Sequence, residues 1–261
     1  MAGYGAVPMP AAGEIIFVGL LGLLVGSFLN VVIHRVPLGQ SLITPRSSCP
    51  GCSAAIAPYD NLPVVSWLVL RGRCRSCSAT ISARYPLVEA MTAVTFAGVV
   101  AVLGFDRSLW LELPFAAVMI AVAAIDLDHR IVPNRILLPA AICAVAGWLA
   151  VAPDFLPEAL IAGAGGFAFL LLAALAYPAG MGMGDVKLAG VMGLYLGIDV
   201  IPALAVAFVA GTVVGVAMIL REGGGARKRG VPFAPFLALG GIVGLLLGED
   251  LISLYTDNFL S

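Results

Sequence analysis

The chain has 261 residues, 61% of them hydrophobic and only 11% charged, with a formal net charge of −1 and a mean hydropathy of +1.06. A soluble domain carries about 25% charged residues. The composition therefore excludes a water-soluble globular enzyme and points to a polytopic membrane protein, in which the placement of charge says more than its sum.

A spanning helix needs roughly 20 apolar residues, within a range of about 17 to 25. On that criterion the sequence predicts eight helices, at about 14–34, 86–104, 109–126, 134–152, 157–178, 185–198, 200–221 and 232–250. The opening "MAGYGAVPMPAAGE" has no Lys or Arg, unlike the positive first region of a signal peptide, so the first apolar run is expected to be retained as a helix. The sixth run is short, and only the turn around Asp199 and Pro202 parts it from the seventh. The expected fold class is an all-α polytopic membrane protein of about eight transmembrane helices with one small cytosolic loop domain. Its parts are a first segment and helix over 1–34, a loop domain over 35–85 and a helical core over 86–261.

Residues 35–85 are the one sizeable polar segment and carry "CPGC" at 49–52 and "CRSC" at 74–77, with 21 residues between Cys52 and Cys74. Two Cys-x-x-Cys turns on one loop can offer four thiolates to a tetrahedral zinc ion. Cys49, Cys52, Cys74 and Cys77 are accordingly the expected metal ligands. The alternatives are a pair of disulfides, which a reducing cytosol disfavours, and a redox pair, which needs one such turn rather than two. Metal would let a loop too small for a good core fold around it. The segment holds six arginines against one aspartate, which suits a surface lying against anionic lipid headgroups. Nucleic acid is not an expected partner. Cys143, alone in an apolar run, is expected to be a small buried hydrophobe.

Basic residues set the orientation. With the N-terminus outside, thirteen of the fourteen Lys and Arg fall on the inner side, among them Arg130, Lys187, Arg221, Arg227, Lys228 and Arg229, and only Arg107 falls outside. Such a bias marks the cytoplasmic face. It also puts Asp126, which ends the apolar run of "AVMIAVAAIDLDHR", and Asp185, in "MGMGDVK", at the cytoplasmic ends of their helices.

Ionisable groups in a spanning segment are costly and usually face a cavity or the bundle interior. Asp128, His129 and Arg130 follow the apolar run and can be hydrated, and on a continuing helix Asp126 and Asp128 point in nearly opposite directions. Asp126 is the one expected to face inward. Gly182 and Gly184 precede Asp185 and permit backbone geometries that open a helix start to water or a substrate chain. Lys187 is expected at the interface. Two carboxylates sharing a proton and a water can hydrolyse an amide without a covalent intermediate, one acting as base while the other polarises the carbonyl. His34 and His129 belong to no nucleophile motif; His34, Ser27 and Asn30 share a helical face that reads as a polar seam inside the bundle. Glycine pairs at 22 and 26, 193 and 197, 211 and 215, and the series 240, 244 and 248, predict close helix packing.

Five blocks, in order, carry a resemblance: "GSFLNVVIHRVP", the span from "CPGC" through "NLPVVSWLVLRGRCRSC", "ISARYPLVE", "IDLDHRIVPN" and "GMGDVKLAG". The chain resembles the type IV prepilin peptidases nearly end to end. The resemblance implies an inner-membrane aspartic endopeptidase whose catalytic pair falls on Asp126 and Asp185, with Gly182 and Gly184 supporting the site at the cytosolic face. It further implies that prepilins or pseudopilins are the substrates. Removal of their cytosolic leader would be followed by methylation of the new N-terminal amine from S-adenosylmethionine. No motif for the methyl donor is recognisable, and Glu89 of "YPLVE" is a candidate whose alternative role is an acid complementing the helix dipole. A proton-coupled transporter using the same two aspartates as relays, and a zinc-loop membrane adaptor, are the competing classes.

Overall fold

A computed structural model describes residues 10–177, 181–222 and 231–259. Arg227, Lys228 and Arg229, three of the residues used to orient the chain, lie outside the described residues. Long helices form where the apolar runs predict them: α1 (Ala12–Arg35), α3 (Arg84–Leu103), α4 (Leu109–His129), α5 (Asn134–Val151), α6 (Leu156–Ala176), α7 (Met183–Leu196), α8 (Val200–Glu222) and α9 (Ala234–Phe259), with a short α2 (Val65–Val69) in the polar segment. The last helix outruns its predicted end because the chain stays helical after its apolar run gives way to Glu249, Asp250 and Asp257. Seven segments are long and apolar enough to cross a membrane, with 183–221 counted as one.

That segment is two helices running in opposite directions. Gly193 of α7 packs on Ala162 and Gly163 of α6, and Gly190 on Phe167, so α7 runs back along α6. At Gly197 the backbone takes φ +56, a conformation open to glycine at little cost. Phe208 of α8 then meets Phe169 of α6 at 6.0 Å between ring centroids. The chain therefore reverses at 197–199. Helix α7, with 14 residues, is about 21 Å long and shorter than the hydrocarbon core of about 30 Å.

The chain packs as two units that divide between Asp106 and Arg107. In the first, α1 and α3 lie backbone against backbone: a Cβ on Gly22 would stand 2.7 Å from the Cα of Ala93, and one on Gly26 2.6 Å from the Cα of Glu89. In the second, α4 runs through the middle, with Phe115, Met119, Val122 and Ile125 fully enclosed. There Gly240, Gly244 and Gly248 of α9 seat α8 and the preceding turn at Ala203 and Asp199, as the glycine spacing predicts. Gly215 faces open space instead. Cys143 is exposed rather than buried, because the inward stripe of α5 is Leu137, Ala140, Ala144 and Trp148 and residue 143 falls beside it.

Candidate functional site

In the second unit, four helix ends meet. The C-terminal turn of α4 ends at Arg130, in the left-handed conformation, whose N–H closes on the carbonyl of Asp126. The following residues lead into α5, where Asn134 Oδ1 accepts from Lys187 Nζ at 3.1 Å, tying the start of α5 to the start of α7. Lys187 is exposed at that end, as expected. The backbone N–H of Ala234, at the start of α9, donates to Asp126 Oδ2 at 3.2 Å.

Asp126 is 5% exposed and Asp185 9%, and they stand at the C-terminal end of α4 and the first turn of α7, which meet where Gly184 lies against Val132. Asp128, two residues on, is exposed. Helical geometry alone produces that contrast, since residues two apart stand about 200° around the axis. Asp185 lies in the first turn of α7, its N–H bonded to the carbonyl of Gly182 at 3.0 Å. This is the end of a helix that favours negative charge.

The two glycines differ in what they do. A Cβ on Gly184 would stand 2.7 Å from the Cβ of Val132, so the absence of a side chain is what lets α7 start against the segment after α4. Gly182 has an ordinary φ of −81, and a Cβ there would make only van der Waals contact with Asp185 Oδ2 at 3.6 Å. Gly184→Ala is therefore expected to cost about 1–3 kcal/mol of local packing and to depress peptide cleavage. Gly182→Ala should leave most of the activity, and parallel rate measurements on the two purified variants check the difference.

In the first unit, the Sγ atoms of Cys49, Cys52, Cys74 and Cys77 all lie within 4.8 Å of one another, with Cys49 and Cys77 at 3.7 Å. A tetrahedral ion with Zn–S bonds of about 2.3 Å sets its sulfurs roughly 3.8 Å apart, so this donor set fits a metal ion of that kind. A short repeat builds it: "CPGCSA" and "CRSCSA" fold alike, Cys49 N–H bonding to Ala54 O and Cys74 N–H to Ala79 O, with Ser53 at φ 57 and Ser78 at φ 60. The N–H groups of Cys77 and Ser76, with the Cys49 thiol, hold the Cys74 thiol down to about 6. The Ala79 N–H lowers Cys77, but its shared hydrogen bonds with Cys52, Cys74 and Cys49, together with desolvation, push it up to about 12. Arg75, beside this turn, is held by Asp60 through a bond of 2.7 Å.

Glu89 is buried in the second turn of α3 and does not act as a first-turn acid. Its Oε2 accepts the N–H of Val64 at 2.7 Å, and Ser27 and Asn30 hydrogen-bond the same carboxylate. Val64 is the centre of a γ-turn, with φ 60 and ψ −49 and the Val65 N–H on the Pro63 carbonyl, a strained shape for a β-branched residue. The carboxylate thus fixes this loop turn to α1 and α3. Asn30 and Ser27 join the expected polar seam, but His34 is exposed and lies outside it. Glu89→Ala leaves the Val64 N–H without its acceptor and is expected to destabilise the loop by about 1–3 kcal/mol. Faster proteolytic nicking near Arg71 or Arg73 is the readout.

The family model described as the bacterial peptidase A24 N-terminal domain matches residues 20–103, and that of the type IV leader peptidase family matches residues 113–219. The prepilin leader peptidase/N-methyltransferase of Aeromonas hydrophila is 35% identical over 92% of this chain and 93% of its own length. The chain belongs to the type IV leader peptidase family. The like-named protein of Bacillus subtilis is 37% identical over 90% of this chain and 95% of its own. That of Myxococcus xanthus is 39% identical over 80% and 64% respectively, so this chain spans less than two thirds of that relative. No solved structure matches.

The hydrogen bond from the Ala234 N–H to Asp126 leaves no mark in the sequence. Ala234 has no side-chain chemistry, so nothing in "VPFAPFLALG" marks its N–H as a partner of Asp126. The available signal was positional, since a helix start leaves N–H groups without partners inside the helix.

Proposed function

We propose that this chain is an intramembrane aspartic endopeptidase that removes the leader from type IV prepilins or pseudopilins and then methylates the new N-terminal amine. The observation that carries the peptidase reading is the pair of buried carboxylates, Asp126 and Asp185, set at the meeting ends of α4 and α7, two helices far apart in sequence. One carboxylate takes a proton from a water molecule, while its protonated partner hydrogen-bonds the scissile carbonyl. The water oxygen adds to the carbonyl carbon, the first carboxyl returns the proton to the leaving amine, and the C–N bond breaks. The Ala234 N–H holds Asp126 Oδ2 in place throughout, and Gly184 keeps α7 close enough for the pair to meet. Family membership favours this reading over a proton relay for transport.

The methylating activity follows from the family and would draw on S-adenosylmethionine, which supplies an electrophilic methyl group to the amine. In this proposal zinc is the ion for the four cysteines, with a structural role in the loop domain of 35–85, and the protease core lies within 86–261. The enzyme would sit in the bacterial inner membrane with its aspartates opening to the cytosol, as the distribution of basic residues supports. A cysteine introduced at Asp154 should then react with an impermeant reagent added outside intact cells, whereas one at Arg130 should not. The reverse pattern would refute the orientation. Incubating the purified enzyme with a prepilin, with and without S-adenosylmethionine, and weighing the products tests both activities: cleavage in both cases, and a gain of one methyl group only with the donor.

A further inference from the structure

The second unit carries an apolar groove of about 600 Å³ between α6 and α8 that the chemistry of the aspartates does not use. Ala162, Gly165 and Phe169 form one wall, Leu204, Ala205 and Phe208 the other, and Glu158 stands at the far end, accepting the N–H of Ile198 at 3.1 Å. Phe169 and Phe208 meet edge to face at the near end. Phe208 in turn lies 5.3 Å from Phe233, the residue before Ala234, whose N–H is on Asp126. The near end of the groove therefore stands at the depth of the aspartates, and the groove runs away from them. From 158 to 169 its α6 wall extends roughly 16 Å, about half the hydrocarbon thickness.

We propose that this groove receives the apolar helix of the prepilin substrate, immediately beyond the bond to be cut. The proposal rests on the peptidase reading of Asp126 and Asp185. Three features select that occupant. Its near end is walled by Phe208, which packs on Phe233 beside the Ala234 N–H that holds Asp126, so a chain leaving that end emerges next to the carboxylates. It points toward the opposite face, the direction in which a membrane helix must continue after a cytosolic cleavage point. Its walls hold small residues at the contact, the feature that lets helices approach closely in lipid, where apolarity alone gives no preference for protein over acyl chain. Gly165 shows that the space is open: a Cβ there meets nothing within 4 Å, whereas one on its neighbour Gly166 would stand 2.9 Å from the carbonyl of Ala189.

Gly165→Phe should therefore fold normally yet fill the groove, and Ala205→Phe should do the same from the α8 side. With full-length prepilin as substrate, each variant is expected to raise KM about tenfold with kcat nearly unchanged, the pattern of lost binding common to ground and transition states. Val213→Phe, on α8 but outside the groove lining, should leave both constants at wild-type values. A photoreactive benzoylphenylalanine at Ala205, in an Asp185→Asn background that holds the substrate uncut, should cross-link to the prepilin's apolar helix. Cross-links solely to lipid or to a second copy of the enzyme, or an unchanged KM in both filled variants, would overturn the groove assignment while wild-type cleavage left the peptidase reading standing. Absence of cleavage by the wild-type enzyme would instead remove the peptidase reading itself.

Discussion

Asp185→Asn is expected to lower the rate of prepilin cleavage by on the order of 10²–10⁴-fold, the scale at which positioned acid–base groups contribute. Asn keeps the shape of the side chain in the first turn of α7, so the fold and the bound metal should be unaffected, but it cannot exchange the proton that hydrolysis needs. The buried pair should act as one unit. The double variant Asp126→Asn/Asp185→Asn is therefore expected to be no slower than either single one, since groups serving the same step are strongly non-additive. Methylation of a peptide that already lacks its leader should survive in all three variants, because attack of an amine on a methyl group requires no activated water. Rates on intact and leaderless peptides, followed by mass, separate the two steps.

The second large effect concerns the loop. Cys49→Ser with Cys52→Ser removes one of the two Cys-x-x-Cys turns and is expected to abolish metal binding, from about one zinc per chain to none by elemental analysis. Structural zinc contributes on the order of 10–16 kcal/mol of apparent binding energy in small metal-dependent folds, more than a loop of this size can replace with other contacts. Few of its large apolar residues are enclosed: Ile56, Leu62, Val65, Leu68 and Val69 are all exposed. Acid should weaken metal retention. Cys74 is already largely ionised above pH 6, whereas the Cys77 proton has to be displaced by the cation, so loading releases protons and falls off as pH drops. If methylation and cleavage occupy different places, methylation should fail first in the cysteine variant. A metal-free protein whose loop resists proteolysis as well as the wild type would refute the four-thiolate assignment.

Much of this was legible because two kinds of sequence signal are short-ranged. Helix periodicity says which of Asp126 and Asp128 turns inward, and Cys-x-x-Cys spacing says which thiols can share an ion. Both follow from local geometry. Contacts set by packing were harder to read. Nothing local distinguishes Gly184, which lies against Val132, from Gly182, which has room beside it. Neither of the roles open to Glu89, methyl-donor candidate or dipole acid, points to its partner, because the Val64 N–H belongs to a turn 25 residues away in sequence. The turn around Asp199 and Pro202 is legible as a break, but the reversal that begins at Gly197 emerges only from where Gly193 and Phe208 land on α6. Cys143 is exposed for a related reason: in a membrane helix an apolar residue is equally at home against lipid, so hydrophobicity does not predict burial.

The central claim, that Asp126 and Asp185 are the hydrolytic pair, is tested most directly by comparing Asp126→Asn with Asp128→Asn. The two residues are neighbours on one helix, one buried and one exposed, and the substitutions remove the same charge. Each purified variant would be given the same full-length prepilin and the released leader quantified by mass. The expected result is no detectable leader from Asp126→Asn and a rate within a few-fold of wild type from Asp128→Asn. Normal cleavage by Asp126→Asn, or its loss in Asp128→Asn alone, would contradict the assignment and place the second carboxylate elsewhere.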